Sequence, residues 1–358
     1  MTVHRRPTSE RALLAAARGG DQPAFRRLVE AHHGALHALC YRMLGSPHDA
    51  EDALQDVLVR AWRGLPRFDG RSSFHTWMHR IAVNVCLSEI ARRPKRVLPV
   101  DHHPDPVDGT DEQADELDAA RCLEPYPDGL VDLAEGRAGP EARYEQREAL
   151  ELAFVAALQH LPPKQRVVFV LRDVLSFSAR EVAETLCVTE VSVNSALQRA
   201  RATIQARLPT ESQQENLRNL GDSRVRRFVS HLVGAFERGS VEAILALLAE
   251  DAVFSMPPKL GWCRGREHIA GSWLMPSDRP TGLRLLSTRA NGQLAFGLYK
   301  LDPQQRRYRP IALEVFGLRG DLVAEVTSFR KPELVDAFGL PRELSQAVTP
   351  DYGDLYRS

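Results

Sequence analysis

Apolar residues recur along the first quarter of the chain at the spacing of helices that each bury one face, and the pattern over residues 8–93 predicts four helices. Thr8 or Ser9 can cap the first. Asp21 followed by Pro23 suits the start of the second, since a carboxylate accepts from first-turn amides and proline lacks the amide that would go unpaired there. Leu28, Leu36, Leu39 and Met43 lie close to one stripe of that second helix. Gly45-Ser46-Pro47 breaks the chain before the third helix and Gly70-Arg71-Ser72 before the fourth. A helical bundle over residues 8–96 follows.

Helical periodicity returns over residues 141–208. A helix ending near His160 leads to Leu161-Pro162-Pro163-Lys164, where the prolines sit at a helix start, and VVFVLRDVL forms the next apolar helix. Ser178 then caps SAREVAETL, a tight turn follows at Cys187-Val188, and Thr189 caps EVSVNSALQRARATIQARL. With Val182, Ala183, Leu186, Val188, Val193 and Leu197 as the internal set, these two helices make a helix-turn-helix.

From residue 222 to 340 the periodicity is mixed. Helices at 224–238 and 240–249 precede a strand-like AVFSMPP and a short helix, GREHIAGSW. Alternating segments LRLLSTRANGQLAFGLYKL and RPIALEVFGLRGDLVAEVTSF fold back at Asn291-Gly292 and at Arg319-Gly320-Asp321. The expected class is multidomain: two all-α domains, then an α+β domain with a curved antiparallel sheet. Residues 97–140, rich in proline, form a linker, residues 209–222 a second, flexible one, and residues 341–358 a tail.

Charge sharpens this picture. The net charge is zero, yet residues 1–97 carry 16 Lys/Arg against 9 Asp/Glu, and residues 98–140 carry 2 against 12. A basic front beside an acidic strip suits a nucleic-acid surface next to a segment that imitates nucleic acid or docks on a basic partner. Within the strip, Cys122–Asp128 (CLEPYPD) is a compact apolar-acidic knot built to dock on something. The 5 cysteines, without CxxC spacing, support neither a disulfide framework nor a zinc site. No apolar run approaches ~18 residues and the first residues lack the apolar segment of a signal peptide, so a cytoplasmic protein without a membrane partner is expected.

The candidate chemistry lies on surfaces. Asp49, Glu51, Asp52, Gln55 and Asp56 mark an acidic helix. Asp49 and Glu51 suit the helix macrodipole, whereas Asp52 and Asp56, one turn apart, favour a basic protein partner. Phe74, Trp77 and Ile81 at i, i+3 and i+7 make a core stripe or a base-stacking platform, the core being favoured. Arg92, Arg93, Lys95 and Arg96 are a solvated run or phosphate contacts. The second helix of the helix-turn-helix offers Glu190, Ser192, Asn194, Ser195, Gln198, Arg199 and Arg201 toward a major groove.

DAEDALQDVLVRAWRGLPRFDGRSSFHTWMHRIAVN, paired with LPPKQRVVFVLRDVLSFSAREVAETLCVTEVSVNSALQRARATI, resembles an extracytoplasmic-function sigma factor of bacterial RNA polymerase over about the first 208 residues. The remainder resembles the SnoaL-like cone fold, a fusion carried by a subset of these factors, and CLEPYPD is similar to that subset as well. The resemblance implies that Asp49, Glu51, Asp52, Gln55 and Asp56 dock on the polymerase clamp and that the connector threads the polymerase cleft. It places Asn84 by the pocket for a flipped base of the minus-ten element, where an amide can both donate and accept. Arg92, Arg93, Lys95 and Arg96 would meet phosphates. Asn194, Ser195 and Gln198, with Ser192 beside them, would read minus-thirty-five bases, Arg199 and Arg201 would reach phosphate or guanine, and Lys164 and Arg166 would approach the DNA backbone or the polymerase flap.

Core polymerase and promoter DNA are thus the implied partners, with no cofactor and no metal. In the third domain Asp251, Glu267, His268 and Glu314 are the residues that proton abstraction could use, while Phe254, Met256, Trp262, Trp273 and Phe296 line a pocket or fill the sheet. The closing strand VTSFRKP offers Arg330 but no carboxylate. A built-in regulator, sensing a small-molecule ligand rather than acting as an enzyme, is therefore expected. Two alternatives stay open: a stand-alone helix-turn-helix regulator, and a SnoaL-like enzyme with a DNA-binding appendage.

Overall fold

The computed structural model describes residues 10–102, 106, 118–130, 147–271 and 282–345. The cap at Thr8 or Ser9, much of the acidic connector, Trp273 and the chain beyond residue 345 lie outside the described residues. Two compact units emerge, one from residues 1–94, 129–143 and 157–207, the other from residues 95–128, 144–156 and 208–358.

The first unit opens with α1 (Glu10–Arg18), α2 (Gln22–Glu30), α3 (His33–Leu44), α4 (Pro47–Gly64) and α5 (Phe74–Ile90). The expected second helix is two helices, because the chain turns at Ala31-His32. Asp21, Ser46 and Ser73 cap α2, α4 and α5 by accepting from the amides of Ala24, Asp49 and Thr76. Leu36, Leu39, Met43, Leu54, Val57, Met78 and Val83 are sealed between these helices. Of the stripe, Phe74 is core while Trp77 and Ile81 are half-buried; Phe68, Phe74 and Trp77 pack with ring centroids 5.0–6.2 Å apart, and the Trp77 indole lies against Gly64.

The same unit holds the helix-turn-helix. The division between the units falls within α6 (Leu152–Gln159). Next comes α7 (Pro163–Phe169), which continues through a π turn at Val170–Val174. Then come α8 (Ala179–Leu186) and α9 (Glu190–Gln205). Ser178 and Glu181 form a reciprocal capping box on α8, Cys187 turns the chain in the left-handed region at φ 54°, and Thr189 caps α9.

The second unit packs helices on a mixed sheet. Its helices include α10 (Gln213–Leu220), α11 (Asp222–Glu237) and α12 (Val241–Ala246). Its strands are β1 (Leu248–Ser255), β2 (Trp262–Arg264), β3 (Leu283–Ala290), β4 (Gln293–Asp302), β5 (Arg307–Arg319), β6 (Leu322–Phe329) and β7 (Leu344–Ser345). They run in the order β2-β1-β6-β5-β4-β3, with β7 on β5. The sheet is not purely antiparallel, since β1 lies parallel to β6. Phe228, Val229, Leu232 and Phe236 of α11 bury against Leu285, Phe296, Leu298, Phe316 and Val326 of the sheet.

Two expectations about flexible chain need correction, and the docking expected of the connector finds its partner. Residues 209–222 contain α10, whose amides clip the sheet. Gln213 trades hydrogen bonds with Leu318, Gln214 donates to the Gly292 carbonyl, and Asn216 trades bonds with Gly320. The tail is anchored as far as Ser345 by β7 and by the Tyr299 hydroxyl, which donates to the Pro341 carbonyl. The connector is held as well. Asn291, at φ 56°, accepts from the Tyr126 amide, donates to the Leu150 carbonyl through its side chain, and donates its own amide to Tyr126. Asp128 accepts from Gly292 and pairs with Arg289, and Lys331 pairs with Glu124 at 2.8 Å. CLEPYPD therefore docks on the β3–β4 hairpin.

Candidate nucleic-acid and polymerase interfaces

On α4 the five candidates separate. Asp52 and Gln55 are exposed, and Glu51 and Asp56 are partly so. Gln55 donates to Glu51 at 3.3 Å, Asp56 pairs with Arg60 at 2.7 Å, and His48 lies 3.9 Å from Asp52. Asp52, Gln55 and Asp56 continue on one face to Val59, an apolar side chain left 46% exposed. Asp49 does not belong to that face. Its side chain is buried and ion-paired with Arg93, which also pairs with Glu89. Asp49 and Arg93 hold α4 to the end of α5; buried Asp49 leaves the set the sequence put it in, and Arg93, still 40% exposed, is engaged by two carboxylates.

The basic run thins at Arg96, which is buried and donates to the Cys122 carbonyl at 2.5 Å. Its guanidinium serves the connector rather than a phosphate. Arg92 and Lys95 remain exposed, as does Asn84 on α5. Near Asn84, His79 is sealed in the bundle, and burial pulls its pKa down to about 3, with His75 beside it adding to the effect. A neutral imidazole results, with Nδ1 2.9 Å from the His75 carbonyl and the ring 5.3 Å from that of Phe177.

The outward face of α9 carries Asn194, Ser195, Gln198 and Arg199, all exposed, while Val193, Leu197, Ala200 and Ile204 pack inward. Ser192 is turned back on the cap, its hydroxyl 2.9 Å from that of Thr189. Arg201 is gripped by both oxygens of Asp173 at 2.7 Å, bracing α9 on the π turn after α7. Lys164 is exposed, but Arg166 is buried and cannot approach DNA or a flap. It donates to the carbonyls of Met43, Gln159 and Leu161 and to the Gln159 side chain, which itself donates to the Arg42 carbonyl. The helix-turn-helix and α3 are thereby joined inside one unit.

In the third domain the candidates do not assemble. Asp251 lies on β1, exposed and paired with Arg319, and Glu267 and His268 are exposed as well. Glu314 is fully buried in a cross-strand row with Phe296 and Ser328, and accepts from the Ser328 hydroxyl at 2.8 Å. Burial pushes its carboxyl up to about 7. Asn291, Gln213, Gln214 and Asn216 went unnoticed in the sequence. Their signal was an Asn-Gly hairpin read only as a turn, and an amide-rich stretch read only as polar.

With this geometry in place, the comparisons are specific. Residues 28–96 match Sigma-70 region 2 and residues 151–204 match Sigma-70, region 4. ECF RNA polymerase sigma factor SigG of Mycobacterium tuberculosis is 36% identical over 337 residues, covering 92% of this chain and 89% of that protein. The chain belongs to the extracytoplasmic-function sigma factors. SigW of Bacillus subtilis is 30% identical over 190 residues, 53% of this chain and 91% of its own. The crystal structure of the Mycobacterium tuberculosis sigma factor SigJ shares the fold at a TM-score of 0.53 and 20% identity, covering 87% of this chain and 98% of that one. As a sigma factor, this protein directs RNA polymerase in transcription initiation. Region 2 accounts for the α4–α5 surface that a stand-alone regulator would leave without a task, and the sheet domain follows region 4. Among the described residues, no helix is long and apolar enough to cross a membrane.

Proposed function

We propose that the SnoaL-like domain is a built-in regulator that acts by holding the connector between regions 2 and 4. The observation that carries this is the grip of Arg289, Asn291, Gly292 and Lys331 on CLEPYPD, a segment whose path must be open when polymerase takes up the sigma factor. In this reading Asp52, Gln55 and Asp56 dock on the clamp. Asn84 accepts the unstacked minus-ten base, Arg92 and Lys95 meet phosphate, and Asn194, Ser195, Gln198 and Arg199 enter the minus-thirty-five major groove. The domain does no covalent chemistry: Asp251 is held by Arg319 on the surface, His268 faces solvent, and Glu314 is sealed from it.

In vitro transcription with core polymerase tests this by comparing the full chain, a chain ending near residue 208, and Asn291→Ala. Asn291→Ala removes two side-chain hydrogen bonds and leaves a left-handed backbone to an alanine, about 2 kcal/mol against the docked connector. It should shift initiation in the same direction as truncation, and speed proteolysis between residues 118 and 128. Equal initiation by all three proteins would remove the regulatory role.

A further inference from the structure

The α9 surface holds a residue that the base-reading assignment above leaves out. Val193, Leu197, Ala200 and Ile204 bury one side of the helix. On the opposite side Val191, Asn194, Ser195 and Gln198 fall at i, i+3, i+4 and i+7, a single stripe whose four members are all exposed. The stripe begins with an apolar side chain. Val191 is 75% exposed, more than Val59 at 46% or Leu322 at 36%, the other large apolar side chains left open among the described residues. A β-branched residue gains nothing from the helix there, because its χ1 freedom is restricted and its methyls stay in water. Ser192, its polar neighbour, is occupied at the cap by Thr189. The first turn of the helix thus presents two γ-methyls in line with an amide, a hydroxyl and a second amide.

Base edges in the major groove present hydrogen-bond donors and acceptors and, at thymine alone, a methyl group. The N-terminal turn of a recognition helix is the part that meets base edges. We propose that Val191 reads a thymine of the minus-thirty-five element through its C5-methyl, while Asn194, Ser195 and Gln198 read neighbouring bases by hydrogen bonds. This rests on the reading of α9 as the major-groove helix. The contact selects a methyl and not a hydrogen-bonding pattern, so it separates thymine from uracil, which differ in nothing else. Removing one methyl-sized contact from water corresponds to about fourfold in affinity.

The test uses holoenzyme assembled from the full chain and core polymerase. It is offered a duplex library randomised across the minus-thirty-five region, and a second library in which deoxyuridine replaces thymine throughout that region. Bound DNA is sequenced. Wild type should enrich thymine at one position and lose that preference, by about fourfold, in the uracil library. Val191→Ala should treat the two libraries alike at that position and keep the other preferences, and Val191→Ile should retain discrimination. Equal enrichment of thymine and uracil by wild type overturns the proposal, as does undiminished discrimination by Val191→Ala. A uniform loss of binding by Val191→Ala, with preferences intact, puts the side chain against polymerase and also overturns it. If wild type enriches no sequence in the randomised region, the major-groove reading of α9 itself fails, an outcome distinct from enrichment without thymine–uracil discrimination.

Discussion

Among the described residues, the basic and carboxylic side chains buried deepest are bases in the helical unit and acids in the sheet unit, while Asp49 and Arg96 run the other way. In the first, Arg166 and His79 are sealed among α3, α5 and α7; in the second, Glu151 and Glu314 are sealed against α10 and within the sheet. Burial disfavours the charged form in every case, but its consequence has opposite sign. It lowers His79 to about 3 and Arg166 to about 10, and raises Glu151 and Glu314 to about 7. Arg166 stays charged and must be met by acceptors, whereas Glu314 is about half protonated near pH 7 and keeps one oxygen without a hydrogen-bond partner among the described residues. Buried charge makes the first unit depend on one residue. The second unit spreads its attachments over several neutral amides, among them Gln213, Gln214, Asn216, Asn291 and Gln293.

The largest effect of any one residue should come from Arg166. Arg166→Met leaves the carbonyls of Met43, Gln159 and Leu161 and the Gln159 side chain without their donor. At about 1 kcal/mol or more for each orphaned group, the loss should reach roughly 3–4 kcal/mol in a denaturant melt of the full chain. Arg166→Lys keeps a charge but not the fork, and should fall between. A loss under about 1 kcal/mol for Arg166→Met would show that the joint between α3 and the helix-turn-helix is as distributed as the amide contacts of the sheet unit.

Next in size, residue by residue, is pH. His79 is lowered, so the unfolded chain binds its proton first. That part of the stability is complete above the ordinary histidine value near 6.5 and is lost as pH falls from there toward about 3. Glu151 and Glu314 are raised, so the folded chain holds their protons longer. Their part is present below about 4.5 and is lost as pH rises to about 7. Calorimetry of the full chain between pH 5 and 8 should therefore show one transition climbing with pH by roughly 2 kcal/mol while the other declines by roughly 5 kcal/mol, its two carboxyls sharing the loss. His79→Phe should flatten the first slope and Glu314→Gln about half of the second. Parallel slopes would dissolve the contrast between buried bases and buried acids.

How far such features could be read from the sequence depended on whether a residue's partner is near in the chain. Helix starts at Asp21, Ser178 and Thr189 were legible because a cap and its amide lie within three residues. The inward faces of α8 and α9 were legible because periodicity is local. Arg166 was misplaced because its partner at Met43 lies 123 residues away, and a charged residue after prolines reads as surface until that carbonyl is seen. Arg96 misled in the same way, satisfied by a distant acceptor at Cys122, and Arg93 meets one at Asp49. The sheet's parallel β1–β6 pair was missed because hairpin signals report only antiparallel neighbours.

The smallest effect on stability, and the sharpest use of the contrast, concerns two aspartates on one helix. Asp49 and Asp52 are three residues apart and alike in sequence context, yet one is buried on Arg93 and the other is exposed. Asp52→Lys with Asp56→Lys changes surface charge and breaks only the exposed pairs with His48 and Arg60, so stability should stay within about 0.5 kcal/mol of wild type. Asp49→Asn removes a carboxylate charge from beside a partly buried guanidinium and should cost more, roughly 1–2 kcal/mol. If the exposed face meets the basic clamp, the ranking reverses for polymerase binding. The double reversal should then weaken the sigma–core complex at least tenfold, with a strong salt dependence, and Asp49→Asn should leave affinity for core nearly unchanged once folded protein is counted. Titrating labelled sigma factor with core polymerase at two salt concentrations measures both. Equal affinities for wild type and the double reversal would mean that exposure on α4 does not mark the docking face.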